Sequence, residues 1–286
     1  MKVLSLFDGI SCGQVALQRA GIPVEAYFAS EVDKYAIKVT QNNYNTTQQV
    51  GDVTQWRSWD IDWASIDLLL GGSPCQGFSL AGKQLAFKDE RSALFFEYVA
   101  ILKHIKSQNP EVKFLLENVP MQQVHLEVIT EELGVQPIAI NANLLLPQSR
   151  LRYYWCNWNT HQPTKIETSY LCITDDMLYP ATVRKGSPRP VKLTGDHFLC
   201  LTATYYKGIR ADGRPALATM EGVFDEMRES GEVRMLTPEE CEKLQGLPTG
   251  YTRGISSTQR YKALGNGWAV PVIVHLLLSS ISEEKL

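Results

Sequence analysis

Along the first half of the chain, short apolar runs alternate with stretches of helical periodicity. Residues 3–7 read as a strand, and a helix opens after Cys12 with Gln14-Val15-Ala16-Leu17. Residues 26–30 and 66–70 repeat the strand signal, with a helix starting from Asp33 between them. Leu94, Phe95, Tyr98, Ile101, Leu102 and Ile105 recur at helical spacing, which gives one buried face. A strand over 112–116 follows, then a helix ending before Gly134, then Ile138-Ala139-Ile140 and Tyr153-Tyr154-Trp155. Ile66-Asp67-Leu68-Leu69-Leu70 is apolar with little alternation, as in strands covered on both faces. The alternation predicts an α/β fold with a mostly parallel, Rossmann-like sheet. Residues 157–233 lose this rhythm and are rich in turn formers, which predicts a small irregular lobe. Thr237-Pro238-Glu239-Glu240 then combines an N-cap, a first-turn proline and helix-start acids. An apolar run over 272–278 closes the chain as a helix. The expected division is 1–156, a lobe over 157–233, and a return segment over 234–286 that completes the first domain.

Composition narrows the classes. With 286 residues, 44% of them hydrophobic and 21% charged, the chain can bury a sizeable core in two lobes. No apolar run approaches a membrane span, and the start lacks the long apolar centre of a secretory signal. The six cysteines are scattered without a CxxC pair, which predicts reduced thiols in the cytoplasm and no metal site. A net charge of −3 carries no global nucleic-acid signature. Locally, residues 184–214 hold seven basic side chains (Arg184, Lys185, Arg189, Lys192, Lys207, Arg210, Arg214) against Asp196 and Asp212. His197, Phe198, Tyr205 and Tyr206 are interleaved.

The chemistry-bearing blocks sit at the ends of the apolar runs. Gly71-Gly72-Ser73-Pro74-Cys75-Gln76-Gly77-Phe78-Ser79 presents a cysteine on a turn at the carboxyl end of a strand, where open α/β sheets bind ligands. Phe7-Asp8-Gly9-Ile10-Ser11-Cys12-Gly13 links the first strand to its helix. Glu117-Asn118-Val119 ends one run and Gln148-Ser149-Arg150-Leu151-Arg152 enters another. Leu244-Gln245-Gly246-Leu247-Pro248 and Gly265-Asn266-Gly267-Trp268-Ala269-Val270-Pro271 come near the end. In order and spacing these blocks resemble the DNA (cytosine-5)-methyltransferases over residues 1–156 and about 234–286. The wording around Phe7, Glu31 and Trp268 is similar to the animal de novo methyltransferases and their phage-like relatives.

That resemblance implies an S-adenosylmethionine site made by Phe7, Gly9, Ser11, Gly13, Glu31, Val32, Asp52, Val53, Pro74, Asn266 and Trp268. Ser11 stands where the family usually has a third glycine. Glu31 would accept from the ribose hydroxyls, and Asp52 would face the adenine amino group.

The implied catalytic residues are Cys75, Glu117 and Arg152. Carbon 5 of cytosine is a poor nucleophile until a thiolate adds at carbon 6, which is the role of Cys75. Glu117 would relieve charge at ring nitrogen 3 by donating a proton or hydrogen bond, and a carboxyl group donates only where burial favours its neutral form. Arg152 would contact the cytosine carbonyl and orient Glu117.

A base inside a duplex must be flipped to reach this site, and residues 79–90 resemble a lid over it. Ser79, Lys83, Arg150, Arg189, Lys207, Arg210 and Arg214 are the expected DNA contacts, since 184–214 occupies the place of the family's target-recognition domain. The expected partner is double-stranded DNA, for a monomeric prokaryotic or phage enzyme, with a cognate restriction endonuclease left open. Two alternatives share the scaffold: a tRNA cytosine-5 methyltransferase, and a catalytically silent DNA-binding regulatory homologue.

Overall fold

A computed structural model of the protein describes residues 1–73, 90–169, 172–174 and 178–282, with the side chains of 90–92 and 282 left aside. Chain contacts divide it into two units: Met1–Ile140, Leu151–Gln162 and Ile273–Leu286 form one, and Asn141–Arg150 with Pro163–Val272 the other. This line differs from a 157–233 lobe with a returning 234–286 segment. Residues 234–272 fall in the second unit, where the block around Gln245 and Gly265 is hydrogen-bonded to Gln148 and Arg150.

The first unit is built on strands β1 (Lys2–Leu6), β2 (Ala26–Ser30), β3 (Gln48–Gln49), β4 (Leu68–Gly71), β5 (Lys113–Asn118), β6 (Ile138–Asn141) and β7 (Leu151–Cys156). They form one sheet in the order β3-β2-β1-β4-β5-β7-β6. The pairs from β3 to β5 are parallel, and β7 runs antiparallel to β5. The switch point between β1 and β4 places the ends of β1, β2, β4 and β5 along one edge, where open α/β sheets carry their sites.

Helices α1 (Cys12–Arg19), α2 (Lys34–Asn43), α3 (Glu90–Gln108) and α4 (Gln123–Leu133) are the crossovers. The predicted face of α3 is the one that packs: Phe95, Tyr98, Ile101, Leu102 and Ile105 are buried with Leu4, Leu69, Phe114 and Trp155. Helix α4 stops at Gly134, whose φ of 70° is the left-handed cap that glycine takes without steric cost.

In the second unit the turn-rich segment is an antiparallel sheet. Strands β8 (Tyr179–Val183), β9 (Pro190–Leu193), β10 (Ala216–Ala218), β11 (Gly222–Val223) and β12 (Val233–Arg234) lie in the order β11-β9-β8-β10-β12. Helix α5 (Phe224–Ser230) packs Phe224 and Met227 onto Ala181, Val183, Val191 and Ala216. Helices α6 (Pro238–Leu244) and α7 (Ser257–Asn266) follow. The expected start of α6 has full capping-box geometry: Glu240 N donates to Thr237 Oγ1 at 3.2 Å and Thr237 N to Glu240 Oε2 at 2.6 Å.

The last helix, α8 (Val270–Ser282), begins before the predicted run. Its Leu276 and Ser280 carbonyls accept from Trp158 Nε1 and Lys113 Nζ, both at 2.9 Å. One expectation is corrected here. By length and composition Ser257–Ile281 passes as a membrane-crossing helix, its most apolar 18 residues having a mean hydropathy of 1.5. It comprises α7 and α8, broken at residues 267–269, and half of its most apolar stretch is buried inside the protein, as expected of core helices.

Candidate active site

Two acids are fixed side by side at the ends of β2 and β3. Leaving β1, the backbone turns left-handed at Phe7, Gly9 and Ser11, with φ of 57°, 58° and 56°. The turn brings Asp8 N onto Ser30 O at 3.1 Å and Gly9 N onto Glu31 Oε2 at 2.7 Å. The other Glu31 oxygen accepts from Val32 N and Asp33 N, both at 2.8 Å. Ser30 Oγ donates to Gly51 O at 2.7 Å, so Glu31 and Asp52 follow a bonded pair, Ser30 at the end of β2 and Gly51 just past β3. Asp52 is exposed and holds its own turn, accepting from Thr54 N at 2.9 Å.

Around these acids the apolar side chains divide. Val53 is buried in the core, whereas Val32 is 71% exposed beside Glu31, and Phe7 is half-buried against the core. A Cβ built on Gly9 would meet nothing within 4 Å, so the turn is open on that side; Gly13 is buried at the start of α1. The expected Ser11 substitution is accommodated inward, for its side chain is fully buried and its hydroxyl donates to Asp8 Oδ2. Two acids for a diol and an amino group, with an exposed apolar side chain and an open glycine turn beside them, suit a nucleoside carrying an amino-acid tail.

At the ends of β4 and β5 a second cluster forms. Glu117 pairs across the sheet with Tyr154, so Arg152, two residues earlier on β7, is its diagonal neighbour on the same face. Arg152 Nε lies 2.9 Å from Glu117 Oε1, and both side chains are nearly buried. The next residue, Asn118, donates through Nδ2 to the buried hydroxyl of Ser73 at 3.3 Å and accepts from Val119 N at 2.8 Å. This joins the end of β5 to the residue that immediately precedes Pro74-Cys75. Pro74, Cys75, Ser79 and Lys83 lie outside the described residues. Among the described residues no cluster of three metal-ligating side chains occurs, and Cys12, Cys156, Cys172, Cys200 and Cys241 are not in disulfides.

In the second unit three of the sequence blocks are knitted together by buried amides and one guanidinium. Gln148 donates to Leu244 O at 2.8 Å and accepts from Leu201 N at 3.0 Å. Gln245 donates to Leu264 O at 2.7 Å. Arg150, 3% exposed, donates to the carbonyls of Leu201, Gly265 and Gly267 at 2.9, 3.3 and 2.8 Å. Arg150 is therefore a buried clamp, which corrects its assignment as a DNA contact. Asn266 is exposed at the end of α7, and Trp268 is half-buried two residues on. Both belong to the second unit. Gln148 and Gln245 carry no charge and no reactive group, so sequence reasoning passed over them; their recurrence in two family-like blocks was the available signal.

Residues 1–170 and 200–282 match the family described as C-5 cytosine-specific DNA methylase. The chain belongs to this family. It is thus a DNA (cytosine-5)-methyltransferase, and members of the family use S-adenosylmethionine. The Type II methyltransferase M.NlaX of Neisseria lactamica is 30% identical over 100% of this chain and 99% of its own length. The orphan methyltransferase M.SPRI of Bacillus phage SPR is 37% identical over 54% of this chain and 37% of its own. Among solved structures, a mutant DNMT2 of Spodoptera frugiperda superposes with a TM-score of 0.71 at 22% identity, covering 98% of this chain and 99% of its own, which shows the shared fold.

The stretch that the methylase family does not match, 171–199, opens the basic segment, and the structure divides that segment's charges. Arg214 is 7% exposed; it pairs with Asp212 at 3.0 Å and donates to Gly208 O at 2.9 Å, so it braces a loop and is corrected as a DNA contact. Arg189 is paired with Asp225 and lies over the Phe224 ring at 4.6 Å. Lys192 pairs with Glu221 at 2.7 Å. Arg184, Lys185, Lys207 and Arg210 are exposed.

Proposed function

We propose that this methyltransferase modifies carbon 5 of cytosine in double-stranded DNA at a short specific sequence, through a covalent Cys75 adduct on a flipped base. The observation that carries the reading is the nearly buried Glu117–Arg152 pair on β5 and β7, with Asn118 bonded to Ser73, the residue that precedes Pro74-Cys75 in sequence. S-adenosylmethionine supplies an electrophilic methyl group when bound. Glu31 and Asp52 hold its ribose and adenine amino group, with the turn from Phe7 to Gly13 and the exposed Val32 beside them. Cys75 adds to carbon 6, and Glu117 stabilises ring nitrogen 3 as the ring loses its conjugation. Arg152 fixes the Glu117 carboxyl group and reaches the cytosine carbonyl. No metal takes part.

Residues 157–233 read the target, with Arg184, Lys185, Lys207 and Arg210 as the exposed cations toward phosphate, joined by Arg189, Ser79 and Lys83. The bacterial and phage sources of the relatives support a prokaryotic or phage enzyme acting in the cytoplasm. The Type II name of the full-length relative supports a cognate endonuclease as partner.

The test is a suicide substrate. Fluorine at carbon 5 cannot leave as a proton, so DNA carrying 5-fluorocytosine in the recognition sequence should trap a methylated protein–DNA adduct that survives denaturing electrophoresis. Trapping should require S-adenosylmethionine and should vanish in Cys75→Ala. An adduct in Cys75→Ala overturns the assignment of the nucleophile, and trapping on RNA alone overturns the DNA reading.

A further inference from the structure

The turn after β1 is held by a half-buried carboxylate rather than by glycine alone. Ser11 keeps a left-handed backbone, φ 56° and ψ 42°, which a residue with a side chain rarely adopts unaided. Its hydroxyl donates to Asp8 Oδ2 and lies 3.1 Å from Thr40 Oγ1 of α2 and 3.2 Å from Gln14 Nε2 of α1. Asp8 Oδ1 accepts from the hydroxyl of Tyr27, on β2, at 2.8 Å. One carboxylate thus ties the first residues of α1 to β2, beside the Gly9 N–H and Glu31 that form the nucleoside end of the site.

Among the described residues, the groups acting on Asp8 include no cation. Ser5 from β1, Ser11 and Tyr27 are neutral, and the charged neighbour is Glu31, another acid. Burial pushes the Asp8 carboxyl up to about 6, against the pull of the hydrogen bonds from Ser11, Ser5 and Tyr27. Protonation would place an O–H where Asp8 now accepts. The Ser11 proton would then lose its acceptor, because Thr40 and Gln14 sit at the oxygen's other positions. S-adenosylmethionine carries a sulfonium and an ammonium cation, which favour an ionised acid beside them.

We propose that Asp8 is a positioning residue for the cofactor: its ionised carboxylate sets the left-handed turn at Ser11, and binding of S-adenosylmethionine is coupled to loss of the Asp8 proton. This rests on the cofactor reading above. The role belongs to Asp8 acting through Ser11 and Gly9.

Calorimetric titration of the full-length protein with S-adenosylmethionine tests it. The dissociation constant should rise about tenfold from pH 7 to pH 5. At pH 6, in two buffers of different ionisation heat, binding should release about half a proton. Asp8→Asn should bind weakly and with nearly the same affinity at both pH values, and Ser11→Gly, which takes the turn without a hydroxyl, should lose most of the pH dependence. An equal wild-type affinity at pH 5 and 7, or a wild-type pH dependence surviving in Asp8→Asn, overturns the proposal. Failure of the wild type to bind at pH 7 overturns the cofactor reading itself and Asp8's part in it.

Discussion

Arg152 meets Glu117 from the diagonal position of an antiparallel pair, at 2.9 Å, through Nε rather than a terminal nitrogen. One terminal nitrogen, Nη1, is spent on Leu151 O at 2.7 Å. The guanidinium is therefore pinned at two points, and the plane it presents is set by the strand. A lysine has one point charge and no such plane. Arg152→Lys should lower kcat by at least about tenfold with little change in KM for DNA, as expected where an interaction matters chiefly in the transition state. Arg152→Ala should in addition cost about 3 kcal/mol in urea unfolding, since it strands a nearly buried carboxylate. A wild-type kcat in Arg152→Lys would mean that orientation is not what the arginine provides.

Buried and exposed arginines of the second unit should behave as opposites. Arg150→Ala removes the donor to three buried carbonyls, so destabilisation of at least about 3 kcal/mol is expected. Arg150→Lys should rescue little of it. Arg210→Ala and Lys207→Ala should leave thermal unfolding unchanged, and each should reduce the slope of log Kd against log salt by about 1. An unchanged slope in both would move the DNA face away from this loop.

Gly265 is the close-approach point of that unit. A Cβ there would stand 2.1 Å from the Thr202 carbonyl carbon and 2.2 Å from Ala203 N, both backbone atoms. Gly265→Ala should lower the melting temperature more than Gly9→Ala, although Gly9 has the unusual φ of 58°. Gly9→Ala strains a turn with open space beside it, whereas Gly265→Ala forces two backbone segments apart.

The sheet was readable because its strands other than the short Gln48–Gln49 pair are apolar runs, and α3 presents one apolar face to it. The antiparallel β7 was visible as a strand but not in direction, since Tyr153-Tyr154-Trp155 reads alike both ways. Strands β8 to β12 were hidden for a physical reason. They are two to five residues long, and β8 buries Pro180 through Val183 on both faces, so no alternation survives. The acids and the arginine of the site were legible as types at strand ends. What was not legible was which arginine would be buried: Arg150 and Arg152 are two residues apart, yet one serves carbonyls and the other Glu117. The same holds for 184–214, where Asp225 and Glu221, outside the segment, take up Arg189 and Lys192.

Asp8 gives stability a distinct pH signature. Its carboxyl is raised from 3.8 to about 6 on folding, so the folded protein binds its proton more tightly than the unfolded chain. The ionised form is thus a cost above pH 6 that is relieved as pH falls toward 4. Between pH 7 and pH 5 the wild type should gain about 1.3 kcal/mol relative to Asp8→Asn, whose side chain does not titrate. Urea unfolding of both proteins at the two pH values measures the difference, and a parallel pair of profiles would remove Asp8 from the account.

Glu31 is held by three backbone N–H groups, from Gly9, Val32 and Asp33, at 2.7 to 2.8 Å. Such a carboxylate does two things at once: it fixes the turn and keeps lone pairs for a diol. The two are separated by comparing Glu31→Gln with Glu31→Ala. A glutamine keeps the length but turns an NH2 toward either Gly9 N or the Val32 and Asp33 pair, a donor facing a donor. An alanine leaves those N–H groups to water at the edge of the sheet. If the turn is the main task, Glu31→Gln should bind S-adenosylmethionine at least as poorly as Glu31→Ala. If the diol is the main task, the glutamine should retain more affinity, because its carbonyl still accepts. The three tight backbone contacts favour the first outcome, with a loss of tenfold or more, about 1.4 kcal/mol, in both variants. DNA affinity measured without cofactor should stay within a factor of about two of wild type, because the proposed contact of Glu31 is to the cofactor alone. A wild-type cofactor affinity in Glu31→Ala would show that the end of β2 does not hold the ribose.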